Sequence, residues 1–253
     1  MLIKVDSAAP TTTAQVSSTM GWDVWYLSPA QVYLNGSDGG ASGVANIYYT
    51  IDGGAIQTYN GTLNITAGGV HTVNYWSVDV AGNTEAQKSV TVRVDSAAPT
   101  TQITTGGTGA NGWYRGPVQV GLSGSDPESG VAFTMYRVDG GQTQIYSGPF
   151  TISGEGQHEV LYYSNDKLGH NEAQQSATIR IDSTLPTAQI SVSGTVGGNG
   201  YYKGPVQFTI AASDNLSGVA STYYRINGGP TQVYSRSFHY FSRWHLQCGL
   251  LER

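Results

Sequence analysis

The feature that most constrains this chain is an internal repeat. VDSAAPT stands at Val5–Thr11 and again at Val94–Thr100, and IDSTLPT follows at Ile181–Thr187. The aspartates at 6, 95 and 182 are therefore 89 and 87 residues apart, and the same landmarks recur between them in the same order. An aromatic pair comes first (Trp25-Tyr26, Trp113-Tyr114, Tyr201-Tyr202). Next come Ser-Asp and Ser-Gly-Val, at Ser37-Asp38 with Ser42–Val44, Ser125-Asp126 with Ser129–Val131, and Ser213-Asp214 with Ser217–Val219. YTIDGG, YRVDGG and YRINGG follow at Tyr49, Tyr136 and Tyr224. HTVNYWSVDVAGNTE (His71–Glu85) then matches HEVLYYSNDKLGHNE (His158–Glu172). A fixed period of this length means one structural unit used in tandem.

Each repeat reads as short strands. Val118, Val120 and Leu122 alternate with Gln119 and Gly121. The same slots hold Val32 and Leu34 in the first repeat and Val206, Phe208 and Ile210 in the third. Such period-two alternation marks a strand with one buried face. Asp-Gly or Asn-Gly between two strands demands positive φ at both turn residues and predicts type I′ hairpins. Pro99 and Pro186 stop the last strand of a repeat at the Asp-Ser-x-x-Pro junction. About seven strands in about 88 residues predict an all-β chain of tandem immunoglobulin-like β-sandwich modules. The expected divisions are residues 1–5 (the last strand of a preceding module), 6–94, 95–181, a truncated module at 182–235, and a tail at 236–253.

These motifs together resemble the OmpL-type β-barrel domain, a bacterial extracellular repeat with an immunoglobulin-like or fibronectin-III-like module. The resemblance covers roughly residues 6–235 and rests on GWYRGPVQV, SDPESGV, YRVDGG, YSGPFTISGEGQHEV and IRIDS. It implies tandem arrays in large secreted or surface-attached proteins, some appended to hydrolases and some binding matrix proteins, and it brings no catalytic residues. His170-Asn171 in place of Asn83-Thr84, and Asn227 in place of the hairpin aspartate, are departures from the first repeat.

Composition narrows the function classes. A net charge of −5 without a basic cluster argues against nucleic acid and anionic membranes as partners. No apolar run is long enough for a transmembrane helix. The outward strand slots hold Gln, Thr, Ser and Asn, which argues against insertion into a membrane as a barrel. The reading is a monomeric, non-catalytic structural or adhesive segment of a larger extracellular or cell-surface protein, with a matrix protein or polysaccharide as partner. The alternative is a carbohydrate-binding accessory region of a secreted hydrolase.

Two candidate sites stand out, each with a structural alternative. Asp79, Asn83 and Glu85, with Asp166, Asn171 and Glu172, cluster hard oxygen ligands near the Asp95 and Asp182 junctions and point to Ca²⁺ as the one cofactor to consider. The same residues close tight turns by side-chain-to-backbone hydrogen bonds, the reading favoured here. Trp25, Tyr26, Trp113, Tyr114, Tyr201 and Tyr202 offer rings on which a glycan could stack, while repetition at one slot favours packing at the sandwich rim. Tyr75 and Tyr162 suit a hydroxyl-anchored tyrosine corner.

The tail SRSFHYFSRWHLQCGLLER breaks the pattern and holds the single cysteine, Cys248. Back-translated with one base removed at the Ser235/Arg236 boundary, it reads SGPFTISPGGTYNVDYWS. That restores the SGPFTIS of Ser147–Ser153 and the tyrosine-tryptophan pair of Tyr75-Trp76 in register. A one-base frameshift is the expectation, with residues 236–253 packing irregularly and the histidines and Cys248 of the tail carrying no site.

Overall fold

The computed structural model describes residues 3–17, 23–40, 42–241 and 248–251, the last four by their backbone. The first repeat holds β1 (Thr11–Ser17), β2 (Trp25–Leu27), β3 (Ala30–Ser37), β4 (Val44–Ile51), β5 (Gln57–Thr58), β6 (Leu63–Ile65), β7 (Gly69–Asp79) and β8 (Lys88–Asp95). The second holds β9 (Thr100–Gly106), β10 (Gly109–Ala110), β11 (Trp113–Tyr114), β12 (Val118–Ser125), β13 (Val131–Val138), β14 (Gln144–Ile145), β15 (Phe150–Ile152), β16 (Gly156–Asp166) and β17 (Gln175–Ile181). The third holds β18 (Thr187–Ser193), β19 (Val206–Ser213), β20 (Thr222–Ile226), β21 (Gln232–Tyr234), β22 (Phe238–Tyr240) and β23 (Cys248–Leu251). The chain is all-β and built from tandem β-sandwich modules. Ile3 and Val5, expected in a strand, lie exposed in irregular chain.

The chain resolves into two compact units. One comprises Met1–Thr104, Gly121–Pro149 and Val160–Ala177, and the other Thr105–Val120, Phe150–Glu159 and Thr178–Arg253. The first unit contains a complete sandwich, one sheet ordered β1-β3-β6 and the other β2-β8-β7-β4-β5. Alternation supplies its core. Val32 and Leu34 of β3 and Leu63 and Ile65 of β6 meet Val73 and Tyr75 of β7 and Val92 and Val94 of β8. Four of these, Val32, Val73, Val92 and Val94, are fully buried. Burying a side chain of this size stabilises by about 1.5–3 kcal/mol, so one pleated face of each strand is enough to hold the layers together. In the same unit β13 pairs antiparallel with β14 and β16, repeating β4 with β5 and β7.

In the second unit β12 pairs with β15 and β11 runs parallel to β17, as β3 does with β6 and β2 with β8. The third repeat contributes two sheets, β18-β19-β22 and β21-β20-β23. The turns are those the sequence predicts. Asp52-Gly53, Asp139-Gly140 and Asn227-Gly228 have φ of 51 and 72, 50 and 70, and 48 and 69°. Each is closed by an amide two residues on, Gly54, Gly141 or Gly229, donating to Ile51, Val138 or Ile226.

Part of the tail departs from expectation. β22 pairs with β19 through Val206↔Tyr240 and Phe208↔Phe238, the slots of Ala30↔Ile65 and Val32↔Leu63 in the first repeat. The Phe238 ring stacks on Phe208 at 5.4 Å and on Tyr224 at 4.6 Å. β23 pairs with β20, Ile226↔Cys248 and Tyr224↔Leu250, where the first repeat has Ile51↔Val73 and Tyr49↔Tyr75. The tail therefore forms strands at both places instead of irregular chain, because Phe238 and Tyr240 keep the inward alternation that the slot requires. Phe238 is half-buried, less than the core residues of the first sandwich. Trp244 lies outside the described residues.

Candidate functional site

The segment after β7 and after β16 is the chemically densest part of each repeat, and its residues divide into two clusters. The first centres on glutamate. The Glu85 carboxylate accepts the Thr12 amide at 2.8 Å, the Ser77 amide at 3.2 Å and the Ser77 hydroxyl at 3.0 Å. Lys88 Nζ lies 2.6 Å from it, and the Thr12 hydroxyl donates to Ser77 Oγ at 2.8 Å. In the second repeat Glu172 accepts the Thr101 amide at 2.9 Å, the Thr101 hydroxyl at 2.5 Å and the Ser164 amide at 3.0 Å. Burial alone would raise the Glu85 carboxyl. The hydrogen bonds from Lys88, Thr12 and Ser77 outweigh that and bring it down to about 2. The two glutamates thus tie the first strand of a sandwich (β1, β9) to its longest strand (β7, β16).

The second cluster gathers the aspartates. Carboxylate oxygens of Asp6, Asp38 and Asp79 lie within 4.8 Å of one another, as do ligand atoms of Asp95, Asp166 and His170. Asp38 and Asp126 hold the Ser-Gly-Val turns by accepting the Gly43 and Gly130 amides at 2.7 and 3.0 Å. Those glycines have φ of 81 and 84°, a conformation that excludes most side chains. Asp79 accepts the Asn83 amide and side-chain amide, both at 2.7 Å. Burial pushes the Asp79 carboxyl up, and the Asn83 hydrogen bonds more than offset it, leaving it below the usual value. Asp182 is likewise lowered, chiefly by Ser217, whose amide donates at 2.8 Å.

The expected cation ligands therefore divide, Asp95 joining Asp166 while Glu85 and Glu172 turn to the strands. Asp79 and Asn83 stay together, Glu85 turns inward to Thr12 and Ser77, and Asp166 takes His170 as its partner. Asn171 is exposed and bonds Asn165 and the Gly169 carbonyl. The residue matching Asn83 in chain position is His170, whose amide and Nδ1 bind Asp166 at 2.9 and 2.6 Å. Counting residues from the shared Asp-x-x-Gly finds it; matching residue type points to Asn171.

The aromatic pairs sit at the strand beside each junction. β2 runs parallel to β8, and Tyr26 packs against the first core. Trp25, Trp113 and Tyr114 are half-buried, whereas Tyr201 and Tyr202 are 64 and 40% exposed. Within the second unit a depression of about 530 Å³ is lined by Trp113, Tyr114, Arg115, Asp182, Leu185 and Asp214, among others. Tyr75 and Tyr162 give their rings to the core, and neither hydroxyl has a hydrogen-bond partner among the described residues. A tyrosine hydroxyl does anchor backbone at Tyr59, which accepts the Leu34 amide at 3.1 Å.

A third arrangement recurs at the junctions. Glu128 accepts the Ser96 and Ala97 amides at 2.6 and 3.3 Å at the first junction. At the second, Glu155 accepts the Ser183 and Thr184 hydroxyls, both at 2.6 Å. Glu128 matches Leu216 by position, and Glu155 matches Gly68. Each junction thus has one carboxylate clamp, supplied from opposite sides. The signal lay in the reciprocal exchange of Gly68 and Leu216 for glutamate.

No family model matches the chain, and no curated protein matches it. Among solved structures, the fibronectin(III)-like modules of Clostridium thermocellum CbhA align with 67% of this chain and 94% of theirs, at 15% identity and a TM-score of 0.29. A 1.5-MDa bacterial ice-binding adhesin aligns over 93% of this chain and 88% of its own, at 11% identity and a TM-score of 0.38. Latent PorU from Porphyromonas gingivalis aligns over 96% of this chain and 30% of its own, at 11% identity and a TM-score of 0.27.

Proposed function

We propose that this chain is a non-catalytic structural and adhesive repeat segment of a larger secreted or cell-surface protein, a spacer that presents loops to a matrix protein or polysaccharide. One observation carries this reading. Matching ionisable residues in consecutive repeats are engaged in the same internal tasks, Glu85 with Thr12 and Ser77, and Glu172 with Thr101 and Ser164. A group whose lone pairs are taken by buried backbone amides is committed to holding strands together, which suits a module whose work is to keep its shape.

A second reading, carbohydrate binding, is favoured by the depression beside Trp113. An aromatic ring next to Arg115 and Asp182 offers a stacking face and fixed hydrogen-bonding groups of the sort that orient a sugar. The full chain passed over immobilised glycans and matrix proteins separates the two. The spacer reading predicts no glycan retention that depends on Trp113. Retention of a polysaccharide that disappears in Trp113→Ala, with folding intact, overturns it in favour of the accessory-module reading.

A further inference from the structure

Among the aspartates of these clusters, Asp95 is wholly buried and poorly satisfied. It is 0% exposed, yet its contacts are all long: the Ser129 amide at 3.3 Å, the Ala97 amide at 3.4 Å and His170 Nδ1 at 3.4 Å. A buried carboxylate ordinarily takes charge-assisted bonds of about 2.7–2.9 Å. Across from it stands Asp166, 3% exposed, with His170 Nδ1 at 2.6 Å from its Oδ2. Two carboxylates at this depth are costly without a positive partner.

Two more oxygens belong to the Ser-Gly-Val turn whose Ser129 amide meets Asp95. Ser129 is 5% exposed and its hydroxyl has no hydrogen-bond partner among the described residues, nor does the buried Oδ2 of Asp126. Ser129 already offers its amide to Asp95. At the matching slot of the third repeat Ser217 donates its amide to Asp182, the counterpart of Asp95, at 2.8 Å, so the serine of this turn stands at the junction carboxylate.

We propose that Asp95, Asp166 and His170, with Ser129 as fourth ligand, form a binding site for a transition-metal dication of the zinc class. The three ligand atoms lie within 4.8 Å of one another. Zinc ligands at 2.0–2.2 Å in a tetrahedron stand about 3.3 Å apart, and the Nδ1 contacts of 2.6 and 3.4 Å bracket that value. The imidazole selects the class of metal: nitrogen with two carboxylates suits zinc or cobalt, whereas calcium seeks six or more oxygens. The first repeat, with Asn83 at the slot of His170, lacks the nitrogen. Because Asp95 begins the junction and Asp166 ends β16, a bound ion would fasten the end of one repeat to the turn that closes the next.

The test is titration of the chelator-treated full chain with Zn²⁺ by calorimetry, and with Co²⁺ by visible absorption. The result expected is one Zn²⁺ per chain, a tetrahedral Co²⁺ band that Zn²⁺ displaces, and at least a tenfold loss of affinity in His170→Asn. His71→Gln, which removes the separate His71–Asp52 pair, leaves both signals unchanged. Absence of Zn²⁺ heat and of a Co²⁺ band in the unaltered chain overturns the proposal whatever the variants do. Binding that survives in His170→Asn, or Ca²⁺ binding in place of Zn²⁺, overturns it equally.

Discussion

The Glu85 carboxylate accepts the backbone amide of Thr12, 73 residues away in the chain, at 2.8 Å inside the first sandwich. Removing Glu85 leaves the Thr12 and Ser77 amides without their acceptor and Lys88 without its counter-ion. Glu85→Ala is expected to cost about 3 kcal/mol, and Glu85→Gln roughly half of that because the amide oxygen still accepts. Urea unfolding of the full chain reads both.

The same carboxyl sets an acid limb. Its folded value near 2 lies below the ordinary 4.5. A depressed carboxylate contributes stability that is fully present above the unfolded value and is lost as pH falls through the folded one. Stability should therefore decline between pH 4.5 and about 2, and the Glu85→Gln chain should show a flatter curve across that window. Equal acid limbs in the two chains would show that Glu85 does not set it.

His71 works in the opposite direction. Its Nδ1 meets Asp52 at 2.7 Å and its Nε2 the Ala67 carbonyl at 2.9 Å. The Asp52 hydrogen bond raises the imidazole above its usual 6.5, against a smaller opposing effect of burial. A raised group stabilises below its unfolded pKa and loses that contribution as pH rises through the folded one. Melting temperature should fall modestly as pH rises from 6 to above 7, and His71→Gln should remove that slope. Because the Asp52 side chain is 48% exposed, the effect is expected to shrink in high salt.

Gly68 leaves room for the clamp at the first junction. A Cβ on Gly68 would run into the Glu128 carboxylate and Ser96 Oγ. Gly68→Ala should displace Glu128 from the Ser96 and Ala97 amides, so Gly68→Ala and Glu128→Ala should each destabilise by about 1 kcal/mol. The double variant should be no worse than either one, since contacting residues are not additive. Additive losses in a double-mutant cycle would contradict the clamp.

Much of the fold was legible in the residues. Asp-Gly and Asn-Gly announced their turns because few other pairs accept two positive φ angles, and the alternation at Val118, Val120 and Leu122 announced a half-buried strand. Glu85 was not legible as an inward residue, since a glutamate in a polar loop ordinarily faces water. Only the fold brings Thr12 to it. His170 is not legible by residue type, because Asn171 shares the chemistry of Asn83 while His170 holds its position. Phe238 stands in a tail that breaks the repeat pattern, yet an aromatic residue at an inward slot packs wherever the slot is open, whatever the origin of the segment.

Pulling the full chain from its two ends in a single-molecule force experiment tests the modular account most directly. A tandem array predicts separate, similar unfolding events for the first two repeats, each releasing about 300 Å, the extended length of 87–89 residues. A single event spanning both repeats, or smooth extension without discrete steps, would contradict it.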